Sequence, residues 1–318
     1  MCRGVTSPLI SVVTAVDRRQ YLESSLASVL TQTNVELELV VVDDASVDGA
    51  AEVLARLADR DPRVRVLRQP QRRGLTEALI VGCTAARGPF IARHDSDDLS
   101  LPLRLERQLE LLVSHPSLAM AGCGTRAIGP REETLFETPR AIDPAAATRR
   151  LREERMGPGA HGSVMFRADA YGRVGGYRAA FRYAQDWDLW LRLTEVGQVG
   201  YVPDVLYAYR VTPDSISGVK RGQQELLVAL AAQCREARAR GDSEDEWLRA
   251  AAECAASSSD SQASGTDSYF IGRCLMNRRD RRAVGYLARS VGERPWSLRR
   301  WTALAGSLVV CRAQQDPS

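Results

Sequence analysis

The sequence predicts an α/β fold in which a mixed, mostly parallel sheet is flanked by helices and followed by a C-terminal helical appendage. Apolar runs of strand length alternate four times with runs of helical periodicity between residues 9 and 103. The strand-like runs are apolar on both faces, which is typical of a parallel sheet covered by helices. From Lys220 onward the chain is rich in alanine and arginine and has a helical pattern throughout.

The first third of the chain supplies the alternating elements in order. The predicted strands are residues 9–15, 35–42, 64–67 and 90–93. Between them, helical spacing of apolar residues predicts helices over 21–30, 53–57 and 74–86. Ser46 or Asp48 is a natural cap for the second of these helices. Pro102 is expected in the first turn of a further helix that extends to residue 113.

Beyond Pro116 the pattern is less regular. The predicted strands there are residues 118–123, 162–166, 199–202 and 206–210, with helices over 168–174 and 183–196. Residues 125–160 are charged and rich in proline, so we expect a mobile connection and not core. A serine-rich run at 257–268 predicts a loop within the helical tail. We divide the chain into residues 1–218 and a helical region, 219–318.

Composition limits the class of protein. The chain has 318 residues, 44% of them hydrophobic and 26% charged, as expected for a soluble globular protein. A net charge of +3 gives no indication of nucleic acid as a partner. Seven scattered cysteines without a Cys-x-x-Cys pair argue against disulfides or zinc and favour a reducing compartment. Neither a signal peptide nor a membrane-spanning run is evident, so we expect a cytoplasmic protein.

Aspartates cluster where two of the predicted strands end. Asp43 and Asp44 follow the second strand, and Asp95, Asp97 and Asp98 follow the fourth. Ligands of open α/β sheets bind at the carboxyl ends of the strands. Clustered carboxylates repel one another and suit Mg²⁺ or Mn²⁺, particularly when a phosphate completes the coordination shell. The alternative is an ordinary acidic loop in which Asp98 or a nearby serine, Ser100, caps the next helix.

Several motifs occur in a specific order along the chain. They are Ser11–Thr14, Val41–Ser46, Arg73–Leu75, Asp95–Asp98 and Gln185–Trp190. Over roughly residues 8–215 the chain resembles the family 2 glycosyltransferases. The resemblance implies the GT-A fold and inverting sugar transfer from a nucleotide-diphosphate sugar. It also implies Mg²⁺ or Mn²⁺ as cofactor, and we expect a UDP- or dTDP-sugar as donor.

The resemblance also implies roles for individual residues. Thr14 would line the nucleotide pocket, Asp44 would hold the nucleobase, and Asp95 would lie at the ribose and metal. Asp97 would bind the metal, and Asp186 would be the general base. These residue types suit the reaction, because a cation neutralises the departing diphosphate and a weak hydroxyl nucleophile needs a base. The start of a helix would favour the ionised form of the Asp186 carboxyl.

The chain departs from the family pattern at a few positions. Gln185 stands where the family commonly has glutamate. Asp188 is a rival base, although we interpret it as a charge favoured by the helix dipole. His161 is expected to be structural. Arg72 and Arg73 lie near the mouth of the crevice and could contact phosphate or remain solvated.

Two alternatives belong to other functional classes. A catalytically inactive module of the same fold could bind a nucleotide or a glycan, and Gln185 is the only support for it. A dinucleotide-binding oxidoreductase is disfavoured, because the first strand leads into Asp17-Arg-Arg-Gln and not a glycine-rich turn.

The acceptor is unknown: a glycan, a lipid-linked molecule or a small molecule. We expect its contacts from the region after residue 120 and from the tail. Within that tail, residues 296–311 alternate arginines with Trp301, Leu304, Leu308 and Val309. This segment either contacts an anionic membrane peripherally or packs on the catalytic domain.

Overall fold

The structure is a computed structural model that describes residues 9–212, 221–257 and 266–312. Its centre is a nine-stranded sheet. The strands are β1 (Ile10–Val16), β2 (Leu37–Asp43), β3 (Val64–Arg68), β4 (Phe90–Arg93), β5 (Leu99–Ser100), β6 (Leu118–Ile128), β7 (Thr134–Thr138), β8 (Met165–Arg167) and β9 (Gln198–Arg210).

The sheet has a parallel and an antiparallel part. The strand order is β3-β2-β1-β4-β8-β6-β9-β5, with β7 beside β6. The first four strands of this order run parallel, whereas β8 is antiparallel to β4 and β6, and β5 is antiparallel to β9. The expected mixed α/β sheet is therefore confirmed. Because β1 pairs with both β2 and β4, Asp44 and Asp95 follow strands that flank β1 on either side.

The described residues form twelve helices. They are α1 (Leu22–Leu30), α2 (Ala50–Arg60), α3 (Leu75–Ala85), α4 (Arg104–Ser114), α5 (Pro144–Glu153), α6 (Ala168–Arg173), α7 (Gln185–Val196), α8 (Arg221–Arg240), α9 (Asp245–Ala256), α10 (Thr266–Asn277), α11 (Ala283–Glu293) and α12 (Leu298–Arg312). One core cluster joins α1, α2 and α4 to the sheet, and a second joins α3, α5 and α7 to it. No helix in the described part of the chain is both long and apolar enough to cross a bilayer.

The expectation of a mobile connection over residues 125–160 is wrong. Strand β6 continues to Ile128, β7 follows, and α5 buries Ala147 and Leu151 in the core. Helix α5 begins with Pro144 after Asp143, whose carboxylate accepts a hydrogen bond from Ala146 N at 2.9 Å. A short helix with one buried stripe and a charged outer face has nearly the composition of a loop, which is why the pattern misled the prediction.

The predicted helix caps are also wrong. Helix α2 follows Gly49, whose φ of 85° no other residue type adopts easily, and neither Ser46 nor Asp48 caps it. Helix α4 follows Leu103 without a side-chain cap, so Pro102 lies ahead of the helix. Tertiary contacts, and not side-chain caps, therefore determine where these two helices begin. The two strands expected over 199–210 form the single strand β9.

The chain forms two compact units. The first contains residues 1–125, 138–209 and 223–257, and the second contains 126–137, 210–222 and 258–318, as far as they are described. The predicted boundary at 218 falls within 213–220, and most of the predicted serine-rich loop falls within 258–265. Both lie outside the described residues, and the division of the chain at 218 stays a prediction.

Helices α8 and α9 share a hydrophobic core with α7 inside the first unit. Leu227, Leu230 and Cys234 of α8 pack with Phe181 and Leu191. Leu227 is fully buried, whereas its neighbour Leu226 is 52% exposed. Helix α8 is therefore held by its apolar stripe against the helix that carries Asp186.

This packing generates a stability prediction. Leu227→Ala should lower the free energy of unfolding by roughly 2–5 kcal/mol, because it removes buried methyl groups and leaves a cavity. Leu226→Ala is the matched control and should change it by less than about 0.5 kcal/mol. Urea denaturation of both variants measures the difference. Equal midpoints would mean that α8 does not belong to the core.

Candidate active site

Asp95 lies directly beyond β4 and is held by three neighbours. The buried Arg93 donates from Nη2 to Asp95 Oδ1 at 2.6 Å. The backbone N–H of Asp95 donates to Tyr207 Oη at 3.1 Å, and Ser25 Oγ donates to the Asp95 carbonyl at 3.0 Å. The Asp95 side chain remains 27% exposed. Its carboxylate is therefore fixed in direction but accessible to a ligand.

The three aspartates of this loop have different environments. Asp98 is buried, and its Oδ2 accepts a hydrogen bond from Tyr207 Oη at 2.8 Å. It does not cap α4, so the alternative of a simple capping loop is wrong on this point. Asp95 and Asp97 are both half-buried. The loop thus uses one aspartate for its own structure and leaves two partly open.

Buried polar residues beneath the loop support it. Arg104 donates to the carbonyl oxygens of Arg93 at 2.8 Å and Gly162 at 2.6 Å, and its guanidinium lies 4.6 Å from the Tyr207 ring centre. His94 lies between two serine hydroxyls, those of Ser25 and Ser100. Burial, and then the charges of Arg104 and Arg93, hold the pKa of His94 well below its ordinary value, so it is a neutral structural group.

Gly162 is required by close approach to this loop. A Cβ at this position would lie 1.8 Å from Tyr207 Oη and 2.9 Å from Asp95 Oδ2. Any other residue would displace the Tyr207 hydroxyl, which links Asp95 to Asp98, or the Asp95 carboxylate itself. The sequence contains only the glycine itself, which gives no indication of these distant neighbours.

Asp186 is the second residue of α7 and is half-buried. Its Oδ1 accepts a hydrogen bond from the Trp187 N–H at 2.9 Å. Burial raises the pKa of Asp186 to about 6; backbone hydrogen bonds oppose this shift, and the charges of Asp95 and Arg93 also act on it, in opposite directions. The expectation that the helix start favours the ionised form is wrong in its net effect, because desolvation outweighs it. Asp95 and Arg93 therefore lie close enough to Asp186 for their charges to act on it.

Asp188 is a buried ion-pair residue. Its carboxylate accepts hydrogen bonds from Arg178 and from Arg192, the latter with Nη2 to Oδ2 at 2.5 Å. Arg178 also donates to Glu244, the residue that precedes α9, at 2.8 Å. Asp188 does lie in the first turn of α7, as interpreted, but two arginines compensate its charge in addition to the helix dipole. With both oxygens paired to arginine, it is no rival to Asp186 as a base.

Asp44 and Thr14 lie at the ends of the neighbouring strands. The Asp44 carboxylate accepts hydrogen bonds from the backbone N–H groups of Arg73 and Gly74, both at 2.7 Å. Carboxylate oxygens can accept further bonds, so a ligand contact remains available to Asp44. Thr14 is fully buried, and its hydroxyl has no partner among the described residues.

A cavity of about 350 Å³ lies beyond Asp44. It is lined by Ala45, Ser46, Val47, Arg68, Gln69 and Pro70. The Ser46 hydroxyl and the Gln69 amide nitrogen are buried without a hydrogen-bond partner in the described structure. Gln69 could not be predicted from the sequence, because nothing in its local pattern indicates burial.

The remaining predicted residues have structural contacts. His161 is bonded to Tyr177 Oη at 2.8 Å, and burial, reinforced by the charge of Arg93, holds the pKa of His161 well below its ordinary value. Arg72 is exposed and pairs with Asp17. The side chain of Gln185 is buried and contacts the Thr76 hydroxyl at 3.4 Å, so it supports the start of α7.

Comparison with known proteins identifies the family. The family model described as "Glycosyl transferase family 2" matches residues 11–183. EpsE of Bacillus subtilis, which bears the name of a glycosyltransferase, is 32% identical over 66% of this chain and 76% of its own length. The chain belongs to glycosyltransferase family 2. The predicted family, fold and enzyme class are thereby confirmed.

Solved structures share the fold of this family 2 glycosyltransferase. The mannosyltransferase PcManGT from Pyrobaculum calidifontis, in complex with GDP-Man and Mn²⁺, aligns with a TM-score of 0.55 at 19% identity. The alignment covers 98% of this chain and 89% of that one. TarS 1–349 of S. aureus in complex with UDP aligns with a TM-score of 0.55 at 14% identity, over 96% and 91% of the two chains.

The carboxylates of this family 2 glycosyltransferase fit a divalent cation only together with a substrate. Among the described residues, no group of three or more His, Cys, Asp or Glu side chains could hold a metal. Magnesium is commonly held by one or two carboxylates plus substrate phosphates. Asp95 and Asp97, both half-buried, meet that smaller requirement.

The ion pairs of Asp188 generate a stability prediction. Asp188→Asn should destabilise the fold by on the order of 3–5 kcal/mol, because it leaves the buried Arg192 without its counter-charge and removes one of the two carboxylate partners of Arg178. Asp242→Asn is the control, since that carboxylate is 59% exposed in its pair with Arg240; it should cost under about 0.5 kcal/mol. Guanidinium unfolding curves compare them. Equal stability would show that the network carries no net energy.

Proposed function

We propose that this family 2 glycosyltransferase moves a sugar from a nucleotide-diphosphate donor to an acceptor hydroxyl with inversion, and that Asp186 is the general base. The observation that carries the proposal is the environment of Asp186. Its pKa of about 6 and its interaction with Asp95 put a proton acceptor of suitable strength beside the acidic loop. A base is most effective when its pKa lies near the working pH.

Donor binding is assigned to the carboxyl ends of the parallel strands. Thr14 would line the nucleotide pocket, Asp44 would contact the nucleobase, and Asp95 would contact the ribose. The unpartnered hydroxyl of Thr14 and the cavity beyond Asp44 support this assignment. The GDP-Man and UDP complexes of the structural neighbours support a nucleotide-sugar donor, which we propose to be a UDP- or dTDP-sugar.

Asp95 and Asp97 would hold Mg²⁺ or Mn²⁺. The cation would neutralise negative charge on the departing diphosphate. Arg93 keeps Asp95 in a single orientation through the bond to Oδ1, so that the other oxygen, Oδ2, can serve as a ligand. The Mn²⁺ in the mannosyltransferase complex supports this part of the proposal.

The two carboxylate oxygens of Asp186 would have different roles in the proton transfer. Oδ1 accepts the Trp187 N–H, and Oδ2 would accept the proton of the acceptor hydroxyl. The hydroxyl oxygen attacks the anomeric carbon from the face opposite the diphosphate, whose bond to that carbon breaks. One displacement of this kind inverts the anomeric configuration.

The acceptor is proposed as a glycan, a lipid-linked molecule or a small molecule, bound by the region after residue 120 and by residues 219–318. We also propose a cytoplasmic location with peripheral membrane contact through that C-terminal region. Five cysteines of the described residues are free thiols, which supports a reducing compartment.

Removal of the proposed base gives the main test of mechanism. Asp186→Asn should reduce transfer by about a hundred- to ten-thousand-fold and leave donor affinity nearly unchanged. In the wild type, kcat/KM should rise with pH through about 6 and then level, because the carboxylate must be unprotonated. Initial rates between acidic and mildly alkaline pH, with product configuration determined by NMR, measure both.

The control for this variant is its stability. A carboxyl whose pKa is raised by folding stabilises the protein less once the pH exceeds that pKa. Asp186→Asn should therefore be at least as stable as wild type at pH 8, which separates lost chemistry from lost fold. Normal transfer by this variant, or a product that retains the donor configuration, would contradict the mechanism.

Metal binding is tested through nucleotide affinity. Asp97→Asn should weaken Mn²⁺-dependent binding of nucleoside diphosphates and leave metal-free binding unchanged, because it removes one charged ligand. Asp44→Ala should weaken nucleotide binding with or without metal. Thermal shifts with UDP, dTDP and GDP, at limiting and saturating Mn²⁺, distinguish these effects. Equal metal dependence in wild type and Asp97→Asn would exclude Asp97 as a ligand.

A further inference from the structure

Helix α12 presents three large apolar side chains outward, whereas Arg300 and Ser307 are buried on its inner face together with Ala303. Arg300 and Ser307 are buried on one face, with 6% and 0% exposure. Leu298, Trp301 and Leu308 on the opposite face are 76%, 50% and 46% exposed. Steps of three and seven residues place these three side chains on one stripe of the helix. This is the reverse of the usual arrangement for a helix at the surface.

The buried polar side chains of α12, Arg300 and Ser307, form hydrogen bonds within the second unit. Arg300 Nη1 donates to the carbonyl oxygen of Ser290 at 2.5 Å and to Glu293 Oε2 at 3.3 Å. Ser307 Oγ donates to the carbonyl oxygen of Leu304 at 2.7 Å. Arg300 thus attaches α12 to α11, whereas the Ser307 bond lies within α12 itself. Its apolar stripe is left for another partner.

The segment before α12 extends the apolar stripe. Trp296 is 95% exposed, which is more than the exposure of Leu298, Trp301 or Leu308. The neighbouring Trp301 donates from Nε1 to the Pro295 carbonyl at 2.9 Å, which orients its ring. Two exposed indoles next to two exposed leucines form a patch of a kind that monomeric proteins rarely leave uncovered.

Positive charge surrounds this patch. Residues 266–312 contain ten arginines against three acidic residues, a net charge of +7, whereas the whole chain has +3. Arg294 and Arg299, on either side of Trp296, are both exposed. Indoles prefer the interface between water and lipid, and clustered arginines are attracted to anionic headgroups. The combination fits a membrane surface better than a neutral apolar partner.

We propose that Trp296, Leu298, Trp301 and Leu308 insert into the headgroup region of an anionic bilayer, and that Arg294 and Arg299 contact the lipid phosphates. This inference rests on the proposed function, because it assigns the membrane contact proposed there to a specific surface. The helix lies in the plane of the interface and does not cross it. Such an attachment would hold the enzyme at the surface where lipid-linked acceptors are found.

Flotation of the full-length protein with vesicles tests the surface. Binding should be strong to phosphatidylcholine vesicles that contain about 30 mol% phosphatidylglycerol and weak to phosphatidylcholine alone. It should decline in about 0.5 M salt, where the charges are screened. The double variant Trp296→Ser/Leu298→Ser should bind at least about tenfold more weakly. Val113→Ser on α4, where Val113 is 59% exposed, is the matched control and should bind normally.

The charge contribution is tested separately. Arg294→Gln/Arg299→Gln should weaken anionic binding about tenfold or more. The matched pair Arg60→Gln/Arg173→Gln removes two exposed arginines from α2 and α6 and should have little effect. The Arg299 guanidinium also lies 5.3 Å from the Tyr269 ring centre, so the unfolding midpoint of this variant is compared with that of wild type.

Four results would overturn the inference: absence of vesicle binding, equal binding to neutral and anionic vesicles, unchanged binding of Trp296→Ser/Leu298→Ser, or a lipid-free dimer that the same variant abolishes. The last would assign the patch to a second copy of the chain. Nucleotide-induced thermal shifts of the variant should equal those of wild type. Vesicle binding without nucleotide binding would contradict the proposed function and leave the surface supported.

Discussion

The buried guanidinium of Arg104 is the interaction on which the candidate site depends. It is completely removed from solvent, bonds to backbone carbonyl oxygens after β4 and at the turn before β8, and stacks on Tyr207. An unpaired buried charge would be very costly, so this cation persists only while those carbonyls and the aromatic ring remain in place. The contact between this guanidinium and the Tyr207 ring holds the ring in place. The Tyr207 hydroxyl in turn links the Asp95 backbone to the Asp98 carboxylate.

The strands and the acidic clusters could be predicted from the sequence because their signals are local. A buried parallel strand is a continuous apolar run, and the aspartates directly follow two such runs. The family motifs extended this to the correct fold. Helix α5 could not be predicted, because its buried residues, such as Leu151, are few among charged neighbours. The predicted helix caps were also wrong, because the helices that follow Gly49 and Leu103 begin where tertiary packing requires and have no side-chain cap.

The two carboxylates of α7 illustrate why site chemistry is harder to predict than fold. Asp186 and Asp188 are two residues apart and thus point to different sides of the helix. Asp186 is half-buried, and desolvation raises its pKa to about 6. Asp188 is paired with Arg178, ten residues earlier in the chain, and with Arg192, four residues later on the same helix. Both look identical as helix-start acids, and only their three-dimensional neighbours distinguish a carboxyl with a raised pKa from a structural ion pair.

The shared core of α7, α8 and α9 has a consequence for chimeric enzymes. An exchange of C-terminal regions between family members that was planned from the sequence alone would use a junction near residue 218. Such a junction would pair α7 of one parent with α8 of another, and mismatched side chains around Phe181 and Leu230 would have to interlock. A junction after Ser257 keeps that interface within one parent.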